Sequence, residues 1–91
     1  MIKAWHERVR EEYIYWQNQD KKTLKKINSL IKDIERKGYN CIGRSEPLKH
    51  GLNRWWSAEI DSKNRLIFKI SSSDEYQSID ILACKGHYDD K

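Results

Sequence analysis

Proline occurs once and glycine four times in 91 residues, too few for a flexible linker or a low-complexity tract. Long apolar runs are missing as well. None approaches the ~18–20 residues that a bilayer-spanning helix needs. The first twelve residues already carry His6, Glu7, Arg8 and Arg10, where a secretory leader would be apolar. The chain is therefore expected to be soluble and cytoplasmic. Cysteine is sparse: Cys41 and Cys84 stand far apart with no Cys-x-x-Cys spacing, so two reduced thiols are expected. A zinc site would have to be assembled from distant segments, with His50 and His87 as the remaining ligands. Phenylalanine appears once, yet four Trp and five Tyr supply bulk to a composition that is only 37% hydrophobic, with a mean hydropathy of -0.98. A chain this short buries only about 60% of its unfolded surface and is expected to form one domain over residues 1–91. Its excess of 18 Lys and Arg over 14 Asp and Glu gives +4, which favours a polyanionic partner without identifying one.

Apolar periodicity sets out the fold. Residues 2–5 read as a short strand, at an edge or centrally placed. Val9, Tyr13 and Trp16, spaced by four and three, share one face of a helix of about three turns. Asp20 offers an N-cap oxygen to a second helix, in which Leu24, Ile27, Leu30, Ile31 and Ile34 form the buried stripe and Gly38 ends the run. The opposite face carries Lys22, Lys25, Lys26, Lys32 and Arg36, expected to be solvated. After Tyr39 the pattern turns irregular around Gly43, Pro47 and Gly51. Three strands then read out near 53–60, 65–70 and 78–85, joined by turns at 61–64 and 71–77. Alternation puts Leu66, Phe68 and Ile70 on one face and Arg65, Ile67 and Lys69 on the other. The expected architecture is α+β, with the N-terminal strand and two helices on one face of an antiparallel sheet whose other face stays open and basic.

An open, cationic sheet face suits single-stranded RNA. RNA carries its own nucleophile, the 2′-hydroxyl. Scission then needs a base for that proton, a cation for the charge developing on phosphorus, and an acid for the departing 5′-oxygen. Glu46, Arg65 and His87 are candidates for these three roles, each at the end of a segment where a cleft can gather them. At neutral pH a free glutamate is ionised and a free histidine is partly protonated.

Several stretches along the chain occur together. They are Trp5, Tyr13-Ile14-Tyr15-Trp16-Gln17, Asp20-Lys21-Lys22, Lys25-Lys26-Ile27-Asn28, Glu46-Pro47-Leu48-Lys49-His50, Trp56-Ser57, Arg65-Leu66 and Ala83-Cys84-Lys85-Gly86-His87-Tyr88. In this order they resemble the YoeB (Txe) family of bacterial toxins within the RelE superfamily, over nearly the whole chain. The resemblance implies a RelE-like fold and a metal-independent mRNA endonuclease, without a cofactor, that works in the ribosomal A site and inhibits translation. It implies Glu46 as general base, Arg65 as phosphate-stabilising cation and His87 as general acid, with Lys49, His50 and Tyr88 contacting RNA in the same cleft. The implied partners are the bacterial ribosome, its mRNA, a YefM/Phd-type antitoxin and a second copy of the chain, with no membrane.

Two features depart from the family pattern. Ala58 and Glu59 follow Trp56-Ser57 where a pair of arginines is usual, and Asp89-Asp90-Lys91 follow Tyr88. Loss of two cations and gain of a carboxylate would loosen the hold on phosphate, and Arg54, Lys63 and Lys69 are the cations placed to compensate. Two functions from different classes therefore stand side by side. One is an active endonuclease; the other is a protein of the same fold that binds ribosome or antitoxin and cuts weakly. A metal-binding role for Cys41, Cys84, His50 and His87 is a distant third.

Overall fold

The computed structural model describes residues 1–41, 45–48 and 54–86. In chain order the elements are β1 (Ile2–Trp5), α1 (Glu7–Gln19), α2 (Lys21–Lys37), a 3₁₀ turn (Gly38–Asn40), β2 (Glu46–Pro47), β3 (Trp56–Glu59), β4 (Arg65–Ser72) and β5 (Gln77–Ala83). The strands form one sheet in the order β1-β5-β4-β3-β2.

Asp20 divides the two helices. Its carboxylate accepts from the backbone N–H groups of Lys22 and Thr23, both at 3.1 Å, and from the Thr23 hydroxyl at 2.8 Å. These bonds satisfy donors that the first turn of α2 leaves free. The Thr23 hydroxyl and then the Thr23 N–H hold the Asp20 carboxyl below its ordinary value, against a smaller opposing effect of desolvation. At the other end Gly38 adopts φ +62°, a left-handed conformation, and its N–H returns to the Ile34 carbonyl, closing α2.

The expected apolar stripes form the core. Val9 and Trp16 of α1 and Ile27, Leu30, Ile31 and Ile34 of α2 pack on Ala58, Leu66, Phe68, Ile79 and Ile81 of the sheet. Tyr39, delivered by the turn after α2, stacks on Trp56 with ring centroids 4.1 Å apart, and its hydroxyl accepts from the Ile70 N–H at 2.9 Å. Trp56 is the first residue of β3 and pairs with Phe68, so the Tyr39 hydroxyl serves a β4 donor beyond the end of that ladder.

The structure modifies three expectations. β3-β4-β5 is the antiparallel meander, but β1 joins β5 in parallel at the sheet edge, making the sheet mixed. A parallel neighbour requires a crossover, and the rest of the chain between β1 and β5 supplies it. Second, the strand limits move: β3 starts at Trp56 because Arg54 lies in a turn, β4 runs on to Ser72, and β5 stops at Ala83. The third concerns the face turned away from the helices, which is not open throughout. Ile67 and Ala83 are fully buried there under Leu48, with Trp55 and Leu82 packed beside them. The segment expected to be irregular contributes β2, and the Leu48 N–H donates to the Trp55 carbonyl at 2.9 Å, which seats Leu48 on that face.

Candidate active site

Register determines which side chains share the outer face. β2 and β3 pair Glu46 with Ser57, β3 and β4 pair Ser57 with Ile67, and β4 and β5 pair Ile67 with Ala83. One row therefore crosses four strands. Arg65 lies two residues before Ile67 on β4, so it occupies the same face in the adjacent row, and Lys69 lies two residues after. Glu46 is exposed, whereas the Arg65 side chain is only 19% exposed.

The turn between β3 and β4 holds Arg65 in place. Asp61 Oδ1 accepts from the N–H groups of Lys63 and Asn64, both at 2.8 Å, and the Asn64 side chain donates back to the same carboxylate. Burial alone would raise the Asp61 carboxyl. The hydrogen bonds from Lys63 and Asn64, with the Arg65 charge, outweigh it and hold Asp61 below its ordinary value. Arg65 Nη1 donates to the carbonyls of Asp61 and Asn64, and Nη2 lies 3.6 Å from Glu59 Oε2. Nη1 thus faces the turn and Nη2 faces the Glu59 carboxylate.

Both residues that depart from the arginine pair have a physical account. Ala58 is fully buried on the helix side, opposite Leu66, so no side chain at that position on this backbone faces the Arg65 side. Glu59 is on the outer face, directly opposite Arg65, and pairs with it. Of the cations expected to compensate, Lys69 does share the face, but its ammonium sits 4.7 Å over the Trp55 ring. Trp55 also meets the His6 ring edge-on at 5.4 Å. Arg54 and Lys63 belong to turns rather than to this row.

Gly86 meets the same turn. The Arg65 N–H donates to the Gly86 carbonyl at 2.9 Å, and the Gly86 N–H donates to Asn64 Oδ1 at 2.8 Å. Gly86 has φ +88°, which a side chain would strain. Of the sequence candidates, Glu46 and Arg65 are thus brought to one face. Lys49, His50, His87 and Tyr88 lie outside the described residues. Cys41 and Cys84 are both buried in the main core, and burial, aided by the Glu12 carboxylate, pushes the Cys84 thiol up to about 12. An inert thiol follows.

Comparison with known proteins decides the family. The family model described as a YoeB-like toxin of bacterial type II toxin-antitoxin systems matches residues 5–88. The chain belongs to this family. Toxin YoeB of Escherichia coli K12 is 42% identical over 84 residues, covering 92% of this chain and 95% of that one. The structure of a YoeB/ParE toxin from Agrobacterium tumefaciens superposes with a TM-score of 0.92 at 31% identity, covering 97% of this chain and all of the other. The YoeB dimer of Staphylococcus aureus gives 0.86 at 36% identity, and the YoeB-YefM complex from the same organism 0.83 at 36%, each covering 97% of this chain and 98% of the other. The YoeB-like fold thus extends over the sheet that carries Glu46 and Arg65.

Sequence reasoning did not identify Glu59 as the partner of Arg65, nor Asn64 as the acceptor for Gly86. The first was legible in principle, since a hairpin turning at 61–64 sets 59 against 65. The second joins residues 22 positions apart and had no local signal.

Proposed function

We propose that this member of the YoeB family is a ribosome-dependent mRNA endonuclease that cleaves message in the ribosomal A site and thereby stops translation. The supporting observation is the shared outer face of Glu46 and Arg65, with Gly86 hydrogen-bonded to the Arg65 backbone. In this role Glu46 takes the proton of the 2′-hydroxyl while that oxygen bonds to phosphorus. Arg65 offsets the charge that builds on the phosphoryl oxygens. His87, one residue beyond Gly86 in sequence, gives a proton to the 5′-oxygen as its bond to phosphorus breaks. Lys49, His50 and Tyr88 contact the RNA. Atoms and charge balance without a metal or cofactor, and the products are a 2′,3′-cyclic phosphate, which can open to a 3′-phosphate, and a 5′-hydroxyl.

Placing the codon against these groups is the part the ribosome supplies, and positioning of this kind is worth several kcal/mol, on the order of 7–11 at best. The test uses purified ribosomes carrying a defined message. Wild-type protein is expected to cut within the A-site codon, leaving a cyclic or 3′-phosphate upstream, and to cut the same RNA far more slowly when naked. An upstream fragment ending in a bare 3′-hydroxyl overturns the mechanism.

One observation favours a second function: the Glu59 carboxylate lies 3.6 Å from Arg65, where it would compete with a phosphate. A protein weakened in this way would bind ribosome or antitoxin with little cleavage, and translation would stop with messages intact.

The partner proposed for the free toxin is a YefM/Phd-type antitoxin, by likeness to the YoeB-YefM complex, and its acidic, initially disordered segment would fold over the basic toxin. Self-association is proposed from the YoeB dimer, and the cytoplasm as the place of action. Among the described residues no helix is long and apolar enough to cross a membrane. Protein recovered from its native cell without a small acidic partner would contradict the antitoxin assignment.

A further inference from the structure

Trp5, Trp16 and Trp56 pack in the core between the helices and the sheet, whereas Trp55 lies on the outer face. An irregularity in the ladder builds the surface on which it rests. β4 and β5 pair Ile67 with Ala83 and Phe68 with Ile81, so the extra residue Leu82 joins Ala83, Ile67 and Leu48 in the apolar cluster against which Trp55 packs. Trp55 stays partly exposed there. Two polar side chains turn to its ring: the Lys69 ammonium lies 4.7 Å over it, and the His6 ring meets it edge-on at 5.4 Å. Neither is the ordinary placement for its residue. Lys69 pairs across the ladder with Asp80, but that carboxylate accepts from the hydroxyls of Ser71 at 3.0 Å and Ser78 at 3.3 Å, and the ammonium goes to the indole. His6 holds the N-cap position of α1, where Ser, Thr, Asp or Asn would cap, yet its side chain makes no capping bond.

A partly exposed aromatic ring with an ammonium beside it offers the two things that a single-stranded nucleic acid needs, a π-face for a base and a cation for phosphate. Lys69 stands four residues beyond Arg65 on the same face of β4, about 13 Å along the strand, so one short stretch of single strand can reach both. We propose that Trp55 and Lys69 form a second RNA subsite, braced by His6, at which an unpaired base flanking the cleaved codon stacks on the indole and the Lys69 ammonium moves from the ring to an adjoining phosphate. Stacking of a base on an aromatic ring outweighs an ammonium–ring contact open to water, so the exchange is favourable. The subsite adds a grip on the message at a distance from Arg65, whose guanidinium Glu59 already engages. The inference rests on the endonuclease role proposed above for the identity of the strand.

The test measures binding of a short fluorescein-labelled oligodeoxyadenylate to the whole protein by anisotropy. This strand lacks the 2′-hydroxyl and so reports binding without cleavage. Trp55→Leu keeps an apolar cover over Ile67 but removes the ring, and Trp55→Phe keeps a ring. Trp55→Leu is expected to weaken binding about tenfold, and Trp55→Phe to stay within about threefold of wild type. A strand with the same phosphates but abasic sugars should bind wild type and Trp55→Leu alike. Lys69→Gln should lower the slope of log affinity against log salt by about one on either strand. Undiminished binding of oligodeoxyadenylate by Trp55→Leu, an equal loss on the abasic strand, or an unchanged salt slope in Lys69→Gln overturns the inference. On ribosome-bound message, Trp55→Leu should slow single-turnover cleavage at subsaturating protein in proportion to its lost binding, and cleavage unchanged at every protein concentration also overturns it. If wild-type protein cuts no message, the endonuclease role falls, while an affinity for oligodeoxyadenylate that depends on the Trp55 ring still upholds the stacking subsite.

Discussion

Glu59 faces Arg65 across the β3–β4 ladder, its carboxylate 3.6 Å from the guanidinium proposed above to meet phosphate. Glu59 is about half exposed, and an ion pair so open to water is worth about 0.2–1 kcal/mol. The pair therefore does little for stability, while in the proposed mechanism its carboxylate would compete with the substrate phosphate for Arg65.

Glu59→Gln should accordingly leave the melting temperature almost unchanged and strengthen binding of ribosome-held message severalfold, with cleavage rising in step. Filter binding and single-turnover rates at low salt check this, because screening shrinks the effect as ionic strength rises. Unchanged binding at low salt would mean that Glu59 and phosphate occupy different sides of the guanidinium.

Removal of one group of the proposed trio should act on the chemical step. Arg65→Ala and His87→Gln are each expected to cost on the order of 10²-fold or more in single-turnover cleavage while the ribosome is still bound. Glu46→Gln, in an exposed position on a two-residue strand, should lower the rate with no loss of fold. Equal rates for wild type and Glu46→Gln would remove Glu46 from the mechanism.

The core should respond as a close-packed interior. Phe68 is fully buried and stacks on Tyr39 at a centroid distance of 5.8 Å, so Phe68→Ala is expected to destabilise the protein by about 3–5 kcal/mol in urea unfolding. Tyr39→Phe removes only the hydroxyl that accepts from Ile70 and should cost about 1 kcal/mol.

Acid should weaken the fold through Asp20 and Asp61. Both carboxyls titrate lower in the folded chain than their ordinary value of 3.8. Between the folded and unfolded values the unfolded chain binds more protons, so stability rises with pH there. The contribution is complete above the unfolded value and is lost as pH falls through the folded one. Melting temperatures followed downward from about pH 5 should fall less steeply in Asp20→Asn and Asp61→Asn than in wild type.

Local chemistry determined much of this molecule from sequence alone. The Asp20 cap, the Ile27–Leu30–Ile31–Ile34 stripe, the stop at Gly38 and the alternation of Arg65, Ile67 and Lys69 depend on residues within a few positions of one another, where periodicity and capping operate. The candidates Glu46 and Arg65 were named as chemistry-bearing residues at segment ends, and it was the family resemblance across the chain that singled them out. Tertiary structure alone decided that β1 joins in parallel, that Leu48 covers Ile67, that Ala58 is turned into the core, that Glu12 and Trp16 hold the backbone of Cys84, and that Asn64 holds that of Gly86. Each of those facts depends on which strand lies beside which and on contacts between distant positions. A backbone donor such as the Cys84 N–H accepts any oxygen that the fold brings near, so nothing in its own neighbourhood names Glu12 in advance.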